Sequence, residues 1–204
     1  MRHVYACAVL CALSAPAALA RSVTVQPDLP ILTIVLDFRG PYTARSVGEM
    51  EREVESIARG SGRAIEWRSW AEATQGVFDE LAVVRFNGNC GIPDKPSPPP
   101  GEGPLGSTHV SDGVVLPFSE IACEKIARYV WPAISSVGQE QAELVFGRAM
   151  GRVVAHELVH MISRSAAHGR AGLAQPALSE SQLTGDRLDL NPRDLLRISA
   201  RERR

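Results

Sequence analysis

The stretch SVGQEQAELVFGRAMGRVVAHELVHMIS, residues 136–163, predicts one long helix. Ser136, with Gln139 three residues later, has the pattern of a capping box, so we expect the helix to begin there. Gly147 and Gly151 lie four residues apart, a spacing that favours close packing against a neighbour. Apolar residues recur at helical spacing to the end of the stretch and predict a helix buried on much of its surface: Leu144, Val145, Val153, Val154, Leu158, Met161 and Ile162.

Three polar residues, His156, Glu157 and His160, interrupt this apolar helix. Histidines at positions i and i+4 lie on one helix face, where both rings can bind one ion. Glu157 is placed to take a proton from a water at the open position of that ion. Zinc makes this proton easier to remove, lowering the pKa of the water to about 7. The His-Glu-Leu-Val-His motif therefore predicts a zinc site with Glu157 as general base.

A third ligand is expected after the helix ends. His168 lies eight residues after His160 and just before Gly169, where the chain can turn back towards the helix, so it is the favoured third ligand. An exposed loop histidine is the other interpretation of His168. In that case the ligand is one of three carboxylates farther along the chain: Glu180, Asp186 or Asp189.

The preceding sequence predicts a small sheet. Ile31–Phe38 is a compact β-branched run, typical of a buried strand, and residues 43–59 have helical spacing that ends at Gly60-Ser61-Gly62. Ala64–Trp67 and Leu81–Phe86 are further strand candidates, which gives a strand, helix, strand order of the βαβ type.

The middle of the chain contains a loop, a hairpin and a shorter helix. PDKPSPPPGEGPLG, residues 93–106, is too rich in Pro and Gly for regular structure and predicts an exposed loop. In THVSDGVVLPF, residues 108–118, Asp112-Gly113 separates two apolar runs and predicts a hairpin. Ser119–Val130 is predicted to be helical. We therefore expect an α+β fold in which a small mixed sheet packs on the long helix.

The first twenty residues have the features of a signal peptide: Arg2, an apolar run, and Ala18-Leu19-Ala20 as the cleavage signal. Cleavage would leave residues 21–204 as one domain, without a stable membrane anchor, in the periplasm or outside the cell. In such an oxidising compartment the two remaining cysteines, Cys90 and Cys123, are expected to form a disulfide. A net charge of -1 without a basic patch gives no indication of nucleic-acid binding.

The segment Arg152–Ala174, RVVAHELVHMISRSAAHGRAGLA, resembles the zincin metallopeptidases, in particular exported bacterial zincin-like proteins with a distal third histidine. A looser similarity extends back over residues 108–123 and the preceding strands. The resemblance implies a motif helix packed under a sheet, His156 and His160 as ligands, and Glu157 as base. Two positions depart from the metzincin pattern, since Ser163 and Ala166 stand where that group has Gly and the third His.

The function expected from these features is that of an exported zinc-dependent hydrolase, a metallopeptidase acting on a polypeptide. The alternative is a non-catalytic exported domain that binds zinc or a protein partner. Peptide hydrolysis needs a donor for the developing oxyanion, and the candidates are His109, Tyr129 and Arg164. By analogy with zincins, the segment Thr108–Val115 is expected to lie along the substrate.

Overall fold

The structure is a computed structural model that describes residues 29–74, 76–95 and 103–188. The predicted signal peptide, Asp189 and residues 96–102 of the proline-rich loop lie outside the described residues. The strands are β1 (Ile31–Phe38), β2 (Ala64–Ser69), β3 (Leu81–Asn87), β4 (Gly106–Ser111) and β5 (Val114–Ala122). The helices are α1 (Ala44–Ala58), α2 (Trp70–Ala73), α3 (Cys123–Tyr129), α4 (Trp131–Ile134), α5 (Gln139–Ser163) and α6 (Glu180–Thr184).

The strands form one five-stranded mixed sheet in the order β2-β1-β3-β5-β4. The first four strands of this order are parallel, and β4 pairs antiparallel with β5 at the edge. Strand β1 has six consecutive buried residues, as expected of a strand covered on both faces. The α+β class and the mixed sheet are thus confirmed, and β1 and β2 of the β1-α1-β2 unit are parallel.

The hairpin prediction is confirmed, whereas the helix predicted for Ser119–Val130 is wrong over its first four residues. Asp112 and Gly113 connect β4 to β5 with φ angles of 51° and 77°, the left-handed values of a two-residue hairpin turn. Residues 119–122 belong to β5, because they pair with β3, and helix α3 begins only at Cys123. Pairing with a distant strand has overridden the local preference.

Helix α5 spans 25 residues, of which 17 are buried. The N-cap prediction is wrong: Gly138 is the N-cap, and the Ser136 hydroxyl instead donates to the Ala133 carbonyl at the end of α4. The helix ends as expected after Ser163, where Arg164 adopts the left-handed conformation with φ 49°. The end of α5 therefore turns the chain back towards the helix.

Helix α1 packs tightly on α5 at the two predicted glycines. A Cβ at Gly147 would lie 2.4 Å from the Ser46 carbonyl oxygen, and one at Gly151 would lie 2.8 Å from the Met50 carbonyl oxygen. Only glycine allows the two backbones to approach this closely. The glycine spacing therefore fixes the position of α1 along α5.

Helix α3 is tied to the sheet by the predicted disulfide. Cys90, in the loop after β3, is joined to Cys123, the first residue of α3, with the Cα atoms 4.9 Å apart. Both cysteines are completely buried. The bond holds α3 beside the sheet, and Tyr129 is the last residue of that helix.

Candidate metal centre

Three histidines come together at the end of α5. His156 and His160 lie one turn apart on the helix, and His168 follows from the loop after the left-handed Arg164. One nitrogen from each ring lies within 4.8 Å of the others. The loop is closed by a hydrogen bond from the Gly169 amide to the Ala174 carbonyl, 2.7 Å long. The structure thus places His168, rather than a carboxylate, beside the helical pair.

Backbone carbonyls fix the orientation of the two helical rings. His156 Nδ1 lies 2.7 Å from the Leu173 carbonyl oxygen, and His160 Nδ1 lies 2.8 Å from the Ser165 carbonyl oxygen. A carbonyl oxygen can only accept a hydrogen bond, so each Nδ1 carries a hydrogen and donates it. In the neutral ring, each Nε2 then keeps its lone pair. This is the arrangement usual for histidines that bind a metal.

The spacing of the two helical rings is close to that of two ligands of one metal ion. The two Nε2 atoms face each other at 3.1 Å. Two nitrogens bound to one tetrahedral zinc at 2.0–2.1 Å would be about 3.3 Å apart. Two lone pairs this close repel each other unless a cation lies between them. Three imidazoles are a donor set for zinc, and also for copper, iron or nickel.

The environment lowers the pKa of two of the three rings, His156 and His168. Burial lowers the pKa of His156, with a smaller lowering from His160, and the hydrogen bond to the Leu173 carbonyl opposes both. The pKa of His168 is also lowered, first by desolvation and then by the other two rings. Because a metal binds only the unprotonated ring, these shifts reduce competition from protons.

Glu157 is buried beside the histidines and held by the edge strand of the sheet. Its side chain accepts a hydrogen bond of 2.6 Å at Oε2 from the Thr108 hydroxyl of β4. A Cβ at Gly106 would lie 2.8 Å from the other carboxylate oxygen, Oε1. The glycine therefore leaves room for this carboxylate under the strand. The pairing of β4 with β5 is irregular between Thr108 and Val110, next to this contact.

Burial raises the pKa of Glu157, since desolvation disfavours the carboxylate. The Thr108 hydrogen bond opposes this effect most strongly, followed by the charges of His160 and His168. A buried carboxyl group with a raised pKa, beside three histidines, is of the kind that accepts protons in catalytic sites.

A cavity of about 300 Å³ opens beside His156 and Glu157. It is lined by residues 103–106, Tyr129, Val153, residues 175–178 and Leu183. His156 and Glu157 also line it, and they are its two titratable residues apart from the Tyr129 phenol. We call this space, with that lining, the site cavity.

Of the three predicted oxyanion donors, only Tyr129 lines the site cavity. His109 lies 3.5 Å from the Glu120 carboxylate and packs edge-on against the Phe118 ring. Arg164 caps α5 and lines a different cavity. Tyr129 is therefore the best placed of the three.

The alternative carboxylate ligands are placed elsewhere. Glu180 begins helix α6, and Asp186 is fully exposed, 3.4 Å from Arg148 Nη1. Within residues 29–74, 76–95 and 103–188, neither belongs to a group of side chains able to hold a metal with the histidines.

Sequence analysis missed Thr108 and Gly106 as contacts of Glu157, and missed the carbonyls of Ser165 and Leu173. Thr108 was expected to lie along a substrate, but nothing in the pattern pointed to a bond with a residue 49 positions away. The sequence indicated a strand near Thr108 and a helix with Glu157, but not that the two lie side by side.

Comparison with known proteins gives no family assignment: no family model matches the chain, and no curated protein matches it. Across the described part of the chain, every helix is too short or too polar to cross a membrane.

Proposed function

We propose that this protein is an exported zinc-dependent hydrolase with a zincin-like site that cleaves peptide bonds. The observation that carries the proposal is the position of Glu157, buried and oriented by Thr108 next to a cluster of three histidines. His156, His160 and His168 would hold the zinc. A zinc held only for structure has its coordination closed by protein ligands and gives no role to such a carboxylate.

Glu157 performs the proton transfer in this scheme. Zinc, when bound, supplies Lewis acidity that eases deprotonation of water and polarises the substrate carbonyl. The Glu157 carboxylate takes the proton and delivers it to the leaving amine. The Thr108 hydroxyl holds one carboxylate oxygen, so the other remains available for the proton. Burial raises the pKa of the group, which increases its affinity for the transferred proton.

Tyr129 is the proposed donor to the developing oxyanion. It is 45% exposed, and it lines the site cavity together with His156 and Glu157. A phenol at this position is able to donate a hydrogen bond to a substrate oxygen. The disulfide at the start of α3 stabilises the helix that carries it.

The proposed substrate is an extended polypeptide. Strand β4 is at the edge of the sheet and pairs only with β5 among the described strands. The backbone groups of its open side can pair with an added strand. Because the same strand carries Thr108, a peptide bound there lies close to Glu157.

The decisive experiment compares wild type with Glu157→Ala for zinc content and for cleavage of a peptide library. We expect both proteins to bind one zinc and only wild type to cleave. Glu140→Ala is the matched control, since Glu140 lies on the same helix and its side chain is 80% exposed. Equal cleavage by wild type and Glu157→Ala would refute the role of the base.

The same experiment separates the alternative, a non-catalytic domain that binds zinc or a protein partner. That alternative predicts no cleavage by any of the three proteins, with zinc bound only if the domain is a zinc-binding one. Export is tested separately by N-terminal sequencing of the mature protein, which we expect to begin at Arg21.

A further inference from the structure

Helix α5 carries a buried arginine one turn before the histidines. Arg152 is completely buried, and its guanidinium joins three helices. Its Nε donates to Glu53 Oε1 of α1 at 2.7 Å, and its Nη1 donates to the Gln182 carbonyl of α6 at 2.8 Å. The neighbouring Gly151 allows α1 to approach closely enough for the contact with Glu53.

A buried guanidinium costs free energy that an apolar side chain in the core does not. Burial removes the hydration of the guanidinium, and an apolar side chain of similar volume often serves stability equally well. One nitrogen of Arg152, Nη2, has no hydrogen-bond partner in the part of the chain that the structure describes. Packing alone therefore does not explain an arginine at this position. Its hydrogen bonds to Glu53 and to the Gln182 carbonyl do.

The bond to Gln182 connects Arg152 to the wall of the site cavity. Gln182 lies in α6, where its side-chain oxygen accepts a 2.7 Å hydrogen bond from Gln175. Gln175 lines the cavity, as do Leu178 and Leu183 from the same segment. Leu183 is fully buried and follows Gln182 directly. The position of this wall thus depends in part on the Gln182 carbonyl that Arg152 binds, while Arg148 binds the Thr184 carbonyl at the far end of α6.

We propose that Arg152 is a positioning residue that fixes the α6 wall of the site cavity and so determines which substrate side chain fits beside Glu157. The inference rests on the proposed function, since it assigns the cavity to the substrate. The lining is apolar apart from the site residues, Tyr129 and Gln175, so the group it takes is uncharged and apolar. Arg152 does not line the cavity and acts through α6.

The experiment uses zinc-loaded full-length protein and three hydroxamate chelators bearing a methyl, an isobutyl or a benzyl group. Their dissociation constants are measured by calorimetry, so the readout does not require cleavage. For wild type we expect the isobutyl and benzyl compounds to bind more tightly than the methyl compound by about tenfold or more. In Arg152→Met we expect the ratio of the affinity for the larger compounds to the affinity for the methyl compound to fall by about tenfold, with zinc affinity unchanged.

Arg63→Met is the matched control. Arg63 is also buried and ion-paired, with Glu80, but it lies outside the site cavity and lines a separate one. This variant should lose stability and keep the wild-type ratio. An equal fall of the ratio in Arg63→Met and Arg152→Met would show a general loss of structure and overturn the proposal.

Two further variants keep the test decisive if Arg152→Met fails to fold. Arg152→Lys retains the charge beside Glu53 but loses the planar fork that also reaches Gln182, so its ratio should fall as well. Leu178→Asp, at a partly exposed position of the wall, should weaken binding of the isobutyl and benzyl compounds while sparing methyl. An unchanged ratio in folded Arg152→Lys, or unchanged binding in Leu178→Asp, overturns the proposal.

Failure of the proposed function gives a different result. If wild type binds zinc but none of the chelators, the metal has no open position, and both proposals are refuted. If the chelators bind with the expected ratios and no peptide is cleaved, catalysis is refuted and the role of Arg152 stands.

Discussion

Replacing Thr108 by Val tests how the edge strand controls the base. Valine has nearly the shape of threonine but lacks the hydroxyl that donates to Glu157 Oε2 at 2.6 Å. We expect the Glu157 carboxylate to lose its fixed orientation and its strongest stabilising contact. Zinc binding should remain, because His156 and His160 lie on α5 and are held by the carbonyls of Leu173 and Ser165. His168 comes from the loop that the Gly169–Ala174 hydrogen bond closes, and the lost bond involves none of the three histidines.

The expected magnitude follows from the kind of bond that is lost. A hydrogen bond to a charged group contributes about 1.5–3 kcal/mol, and removal of that amount from the transition state lowers kcat/KM by about 10- to 150-fold. The pH profile should change as well. The Thr108 bond lowers the pKa of Glu157, so its loss raises that pKa further and moves the acid limb of kcat/KM to higher pH.

The assay is kcat/KM against pH for the best substrate of the peptide library, with zinc content measured on the same samples. Thr108→Ser keeps a hydroxyl and should restore most of the activity and the position of the acid limb. Full activity with an unmoved acid limb in zinc-loaded Thr108→Val would refute the argument that β4 orients the base.

Three further predictions follow from the site and its support. His168→Ala should weaken zinc binding by more than about 100-fold, the upper range for loss of an outer-shell partner, while His109→Ala should bind as wild type in a competition assay with a chromophoric chelator. Unchanged affinity in His168→Ala would mean that a residue farther along the chain is the third ligand. Gly151→Ala should destabilise the metal-free protein by about 1–3 kcal/mol, because the new Cβ would lie 2.8 Å from the Met50 carbonyl oxygen; an unaltered denaturation midpoint contradicts this. Glu157→Gln should stabilise the metal-free protein increasingly as pH rises, because the raised pKa of Glu157 means that the native state binds the proton more tightly than the unfolded chain and loses stability as pH rises through that pKa. A difference in melting temperature that is the same at acidic and neutral pH would argue against it.

The elements with strong local patterns were predictable. Helix α5 has a long apolar repeat, and its histidine spacing places two rings on one face whatever the rest of the fold does. The hairpin at Asp112-Gly113 follows from a turn that tolerates left-handed backbone. The start of α5 was misplaced by two residues, because Ser136 has an equally good local partner in the Ala133 carbonyl.

The features that depend on contacts between distant segments were not predictable. Residues 119–122 become a strand because β3 offers backbone partners, which no local propensity encodes. Thr108 and Gly106 contact Glu157 from a strand far away in the sequence. The His168 assignment rested on a loop able to turn back, and that turn depends on the left-handed Arg164, a residue type without a preference for it.

The glycine pair on α5 has a mechanical consequence. Gly147 and Gly151 leave gaps, or notches, on α5 that the Cβ atoms of Glu49 and Glu53 occupy. The two helices therefore interdigitate at four-residue intervals. A slip to the next notch would carry the helix about 6 Å along its axis. Smaller slips bring side chains against backbone. The two helical histidines, His156 and His160, lie five and nine positions beyond Gly151. Their position along α1 is therefore fixed before a metal ion binds.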